Sequence, residues 1–253
     1  MKRWATVVGA IALVGAVVVP SAAVARGPLN APKRKVGRST STNWSGYAVP
    51  GSGATHVIGT WTARSVTCAA GENSWSSPWV GIDGDNSNTV EQIGTDSDCQ
   101  NGRPVFYAWY EMYPKPLNTL GLTVHPGDSF TGEVTRTASG SFVLKLTNNT
   151  TKASFTTTQN SRKARRSSVE WIMEGPSNGL LSNFGTELFS STSATISGAT
   201  GNVGSFANAE RITMVNNQGV QRAVPSVISG GRVQRELETR LAPRHSFGLA
   251  ILP

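Results

Sequence analysis

The chain has 253 residues, with 23 Lys and Arg against 15 Asp and Glu, and only two cysteines and three histidines. Seven of those bases (Lys2, Arg3, Arg26, Lys33, Arg34, Lys35 and Arg38) lie in residues 1–42, which hold no acid; the remaining 16 face 15 acids. The strong positive charge therefore belongs to the leader, and the rest of the chain lacks the basic footprint of a nucleic-acid binder.

Met1-Lys2-Arg3-Trp4, an apolar run from Ala5 to Val19, and Ala23-Val24-Ala25 read as a secretory signal peptide over residues 1–25. The run is too short for a membrane span. Secretion into an extracellular compartment, with no membrane association after cleavage, is expected. Residues 26–42 are poor in apolar side chains and rich in charge, and are expected to be a disordered linker or short propeptide. Residues 43–253 then form one domain, with a core large enough to fold alone. In an exported chain the lone pair Cys68 and Cys99 is expected to form one disulfide. His56, His125 and His245 are far apart, with none at ligand spacing from a cysteine, so no metal site is expected.

Beyond the leader, short runs rich in Val, Ile, Thr, Phe, Tyr and Trp alternate with Gly, Asn, Asp, Ser and Pro clusters. Strands are predicted at 44–49, 56–62, 77–83, 88–95, 104–113, 128–137, 141–147, 152–158, 168–174, 186–196, 210–215, 222–228 and 246–252. Such spacing, without a long helical period, predicts an all-β sandwich or barrel. Only Arg232–Leu241 has a weak helical look. Arg162-Lys163-Ala164-Arg165-Arg166, set among Ser, Thr and Gln, reads as an exposed loop. Asn43-Trp44-Ser45 and Asn148-Asn149-Thr150 match the glycosylation pattern.

Three predicted strands carry the chemistry. In Ser168–Glu174 the residues Val169, Trp171 and Met173 alternate with Glu170, Ile172 and Glu174, so one face suits a core and the other carries two carboxylates. By the same period of two, Gln92 shares a face with Asp96, Trp79 with Asp83, and Trp109 with Glu111 and Tyr113. The pattern predicts a sheet with one side in the core and one side lining a groove of aromatics and acids.

These pieces resemble the glutamic peptidases, or eqolisins. The resemblance rests on Asn43-Trp44-Ser45-Gly46, Trp79-Val80-Gly81-Ile82-Asp83-Gly84, Gln92-x-Gly94-x-Asp96, Trp109-Tyr110-Glu111-x-Tyr113-Pro114, Val124-x-Pro126-Gly127-Asp128 and Glu170-Trp171-Ile172-x-Glu174, in that order over residues 43–176. It implies a sandwich of two large antiparallel sheets, similar to the concanavalin-like jelly roll. It also implies a catalytic pair, Gln92 and Glu170, acting on peptide bonds in acid without metal or cofactor. Trp44, Gly46, Trp79, Asp83, Gly94, Asp96, Trp109, Glu111, Tyr113, Ile172 and Glu174 are implied to line the cleft or support the pair. The expected partners are polypeptide substrates, met by a monomer. Two other readings stay open: a glycoside hydrolase using Glu111 and Glu170 under sugar-stacking aromatics, and a carbohydrate-binding module without catalysis.

Overall fold

The computed structural model describes residues 35–37, 39–229 and 232–236. The expected signal peptide, most of the expected linker, and the strand expected at 246–252 lie outside the described residues. The strands are β1 (Lys35–Gly37), β2 (Thr40–Ser41), β3 (Trp44–Pro50), β4 (His56–Thr62), β5 (Ser74–Trp75), β6 (Ser77–Ile82), β7 (Val90–Gln100), β8 (Arg103–Tyr113), β9 (Asn118–Thr119) and β10 (Ser129–Arg136). The chain continues through β11 (Ser141–Asn148), β12 (Ser154–Asn160), β13 (Ser168–Glu174), β14 (Leu180–Leu181), β15 (Leu188–Ile196), β16 (Ala199–Gly201), β17 (Glu210–Val215), β18 (Gln221–Ser229) and β19 (Arg232–Glu236). Among the described residues there is no α-helix, and only Val203–Ser205 forms a 3₁₀ turn. No helix there is long and apolar enough to cross a membrane.

Two antiparallel sheets pack face to face. The first runs β17-β3-β13-β6-β7-β8-β9. The second runs β16-β15-β4-β10-β11-β12. Between them lie Tyr47, Val80, Ile82, Ile93, Val169 and Trp171 from the first sheet, and Val57, Trp61, Phe130, Leu144 and Phe189 from the second. Burying each large side chain contributes roughly 1.5–3 kcal/mol. Polar atoms on the two buried indoles are satisfied across the sandwich: Trp171 Nε1 donates to the Ile58 carbonyl (2.8 Å) and Trp61 Nε1 to Thr95 Oγ1 (2.9 Å). The alternation read in the Glu170 strand is thus correct for its core face.

Three expectations change. Residues 35–37 and 40–41, placed in a disordered linker, form β1 and β2. There β2 pairs in parallel with β17, and Ser41 Oγ accepts from the amides of Asn43 and Trp44. These local bonds satisfy a polar backbone that a hydrophobicity count would leave unordered. Arg232–Glu236, with its weak helical look, is instead strand β19, paired with β18 and β15. Both glycosylation candidates are buried, Asn43 and Asn148, the latter donating to Asp128 Oδ2 (2.9 Å). Neither nitrogen is open to modification in the folded chain.

The expected disulfide joins Cys68 to Cys99 with Cα atoms 5.6 Å apart, closing a separation of 31 residues. It ties the segment before β5 to the end of β7, the strand that carries Gln92. Cross-linking a loop of this size restricts the unfolded chain by about 3–4 kcal/mol. Cys68→Ser with Cys99→Ser is therefore expected to lower the unfolding free energy by about that amount in denaturant titration. An unchanged midpoint and slope would show the bridge to be dispensable.

Candidate active site

The candidate residues converge because four strands present them on one row of the first sheet. Glu170 stands opposite Gly81, Gly81 opposite Gln92, and Gln92 opposite Glu111. All four side-chain positions leave the sheet on the face away from the inter-sheet core. Gln92 and Glu170 are thus two strands apart, about 9.5 Å between Cα atoms at normal strand spacing, with only a glycine between them. A Cβ on Gly81 would come within 2.9 Å of the Trp79 ring and 3.1 Å of Gln92 Cβ. A side chain at position 81 would therefore press on the Trp79 ring and on Gln92 at the centre of the row. Gly81→Ala is expected to lower kcat/KM at least tenfold while thermal melting shows the sandwich intact; full activity would mean that this gap is not used.

The next row carries Gly46, Ile172, Trp79, Gly94 and Trp109. Trp44, Trp79, Trp109, Ile172 and Ile212 form a second buried cluster on this face, with Trp44 and Trp79 edge to face at 5.0 Å between centroids. Gly94 is required here: a Cβ would lie 2.7 Å from Trp79 Cβ and 2.8 Å from the Trp109 ring. This aromatic layer buries the face that alternation assigned to a groove. As a result Gln92 and Glu170 are fully buried, where the lining of a groove was expected. Their surroundings are polar. Gln92 Nε2 donates to Glu111 Oε2 at 2.7 Å, while Gln92 Oε1 and both Glu170 oxygens have no hydrogen-bond partner.

The remaining candidates bond to groups around the row. Glu174 accepts from Asn43 Nδ2 (3.1 Å) and Trp79 Nε1 (3.0 Å). Asp96 accepts from Tyr107 Oη and Trp109 Nε1, each at 2.6 Å, and from the Ser77 hydroxyl. Those bonds fix the two indoles that flank Gly94. Asp83 lies at the turn after β6 with φ 73°, a left-handed conformation uncommon outside glycine. Its carboxylate accepts from the amides of Arg166 (2.7 Å) and Ser167 (2.8 Å) and from Ser167 Oγ (2.9 Å), clamping the segment that enters β13. Tyr113 is half-buried against the aromatic cluster. Trp44, Gly46, Trp79, Asp83, Gly94, Asp96, Trp109, Glu111, Tyr113, Ile172 and Glu174 thus all lie on or beside the sheet that carries Gln92 and Glu170.

Burial raises the pKa values of Glu170, Glu111, Asp96 and Asp98. Glu170 is held well above its ordinary value by desolvation, against the lowering effect of the adjacent Ser168 hydroxyl, which is not within hydrogen-bond geometry. The charges of Asp85, Asp83 and Glu91 raise it further. Glu111 is pushed up to about 9 by burial and by Glu174, against the lowering effect of the Gln92 bond. Asp96 rises to about 6, again mainly by burial, and Asp98 rises through burial and the Asp96 charge.

Asp98 and Glu91 were not singled out in the sequence. Asp98 shares the face of Asp96 and lies 3.3 Å from the Tyr107 hydroxyl, a pairing the two-residue period signalled. Glu91, beside Gln92 in sequence, points to the opposite face; it is fully buried with neither oxygen hydrogen-bonded. No group of three or more metal-ligating side chains occurs among the described residues.

The chain is 32% identical over 187 residues to aspergillopepsin-2 of Aspergillus niger, covering 63% of this chain and 66% of that protein. It is 34% identical over 152 residues to scytalidopepsin B of Scytalidium lignicola, covering 56% of each. The match therefore spans somewhat under two thirds of these relatives' own length. A crystal structure of scytalido-glutamic peptidase with a peptide-based transition-state analogue superposes with a TM-score of 0.66 at 26% identity, covering 78% of this chain and 98% of that one. Residues 42–235 match the peptidase A4 family, so both the two-sheet sandwich and most of the described sequence fall within it. The chain belongs to the peptidase A4 family.

Proposed function

We propose that the protein is a secreted, acid-acting endopeptidase in which Gln92 and Glu170 activate a water molecule against a peptide carbonyl. The observation that carries this reading is the shared row: an amide and an unpaired carboxyl flank a glycine on one face of one sheet. Glu170 takes the proton of the attacking water and returns it to the leaving nitrogen. One N–H of Gln92 is committed to Glu111. Its second N–H remains for the oxyanion, and its carbonyl oxygen accepts from the water.

Burial disfavours the ionised form of Glu170, which makes its carboxylate a stronger proton acceptor than an exposed one. Because that pKa lies above 4.5, the ascending limb of kcat/KM against pH is expected above pH 4.5. Glu111, protonated up to about pH 9, spares the site one more negative charge. Since both reacting groups are buried, a substrate must displace what lies over them before it can react.

Nothing in the site favours a glycoside hydrolase, since Glu111 is spent on Gln92 and stands three strand spacings from Glu170. The family likewise groups the chain with peptidases, not with sugar-binding modules. Digestion of an unfolded protein between pH 3 and 7, with a β-glucan in parallel, tests the reading. Peptide cleavage alone is expected. Glycan cleavage, or no hydrolysis of either, would overturn it.

A further inference from the structure

Beyond the reactive row, the same four strands end in a pocket of opposite electrostatic character. Its volume is about 380 Å³, and its lining is the 86–89 loop, Pro114, Lys163 and Arg165. Each part continues a strand of the row. The loop joins β6 to β7, Pro114 follows β8, and residues 163–165 lead into β13. Thr89 and Pro114 are three residues beyond Gln92 and Glu111, so the pocket opens about 10 Å from the row at normal strand rise. That is the reach of an extended peptide about three residues from the bond being cut.

The two cations are presented by an anchored segment. Asp83 holds the amides of Arg166 and Ser167, and Ala164 packs against the main core. Across the pocket, Ser87 Oγ accepts from the Gly84 amide and donates to the Thr89 carbonyl. Lys163 and Arg165 are exposed and form no ion pair among the described residues. No carboxylate lines the pocket: Asp85, the nearest in sequence, is buried and accepts from Asn86 Nδ2. The contrast with the acid-rich row is sharp. Asn86 and Asn88 add side-chain amides, and Arg165 offers a forked donor that matches a carboxylate.

We propose that this pocket is a subsite for an acidic side chain of the substrate, bound by Lys163 and Arg165 with the 86–89 loop. The proposal rests on the peptidase reading for its substrate, and it gives the enzyme a preference for Asp or Glu at one position about three residues from the scissile bond. Two solvent-exposed charge contacts are worth a factor on the order of three to ten.

The test uses matched peptides that carry Glu, Gln or Lys at each position up to four residues on either side of the cut. Their kcat/KM is measured with wild type and with the Lys163→Glu/Arg165→Glu protein. At one position the wild type is expected to favour Glu over Lys about three- to tenfold, and the charge-reversed protein to favour Lys. The wild-type preference is expected to fade below about pH 4, where a substrate glutamate takes up its proton. A merely structural role for the loop would lower all peptides alike and leave the Glu-to-Lys ratio untouched. Binding of the same peptides to Glu170→Gln protein, read by fluorescence anisotropy, keeps the outcomes separate. A wild type that cuts no peptide sinks the peptidase reading, while the binding ratio still decides the subsite. Equal ratios in charge-reversed and parent proteins, by both readouts, overturn the subsite.

Discussion

Glu170→Gln is expected to lower kcat for peptide hydrolysis about 10²–10⁴-fold, while the protein becomes no less stable. The activity loss follows from the proposed role of Glu170 as the base toward water; such bases contribute about 10²–10⁴-fold. The stability expectation comes from burial. Neither Glu170 oxygen has a hydrogen-bond partner, and its surroundings hold the carboxyl well above its ordinary pKa. A neutral amide of the same shape cannot take on the charge that burial disfavours, so the melting temperature should stay level or rise at pH values where the wild-type carboxyl ionises. Opposite signs for activity and stability mark a reactive group in a strained setting. Gln92→Ala should cost about 10²–10³ in kcat, the usual loss for one oxyanion donor. It should also cost some stability, because Glu111 loses the partner 2.7 Å away. Stopped assays with a fluorogenic peptide, alongside thermal melts of each variant, decide the matter. Near-wild-type turnover in Glu170→Gln would remove the dyad.

Much of this arrangement was legible because a strand has a period of two. Alternation in Ser168–Glu174 separated Trp171, which bonds across the sandwich to the Ile58 carbonyl, from Glu170 on the other face. The same parity grouped Trp109, Glu111 and Tyr113, and register then aligned Glu111 with Gln92. Parity does not say what covers a face. The cluster of Trp44, Trp79, Trp109 and Ile212 draws on β3, β6, β8 and β17, far apart in sequence, so burial of the dyad was not readable. Nor was the role of Asp83. Its contacts with Arg166 and Ser167 span more than 80 residues, and only the fold brings them together. Ordering of Thr40 and Ser41 was missed for a related reason. Their hydrogen bonds depend on β17, the strand they lie beside, and not on their own apolar content.

Stability is expected to fall as pH rises from about 4.5 to 9, the reverse of an ordinary acid-labile protein. Glu91, Asp96, Asp98, Glu111 and Glu170 all have pKa values raised mainly by burial, with Glu91 at about 8, Asp96 at about 6 and Glu111 at about 9. Each of these carboxyls holds its proton more tightly in the folded chain than in the unfolded one. Between the unfolded value, near 4.5 for glutamate, and the raised folded value, the folded state binds more protons, and stability declines with pH. The stabilising contribution is complete below the unfolded pKa and is lost as pH climbs through the folded one. A tenfold difference in proton affinity between the folded and unfolded chain corresponds to about 1.4 kcal/mol, so Glu91 alone is worth several kcal/mol across this window. Glu91→Gln isolates its share: Glu91 lies on the core face, outside the Gln92–Glu170 row, and the amide cannot ionise. Urea titrations at pH 4, 6 and 8 should show wild type weakening steadily and Glu91→Gln losing distinctly less between pH 6 and 8. A wild-type midpoint that is flat or increasing over that range would contradict the buried-acid account. If the decline is seen, acid operation follows from how the fold buries its carboxyls around one sheet. Net charge, which is near neutral over residues 43–253, has no need to be acidic for it.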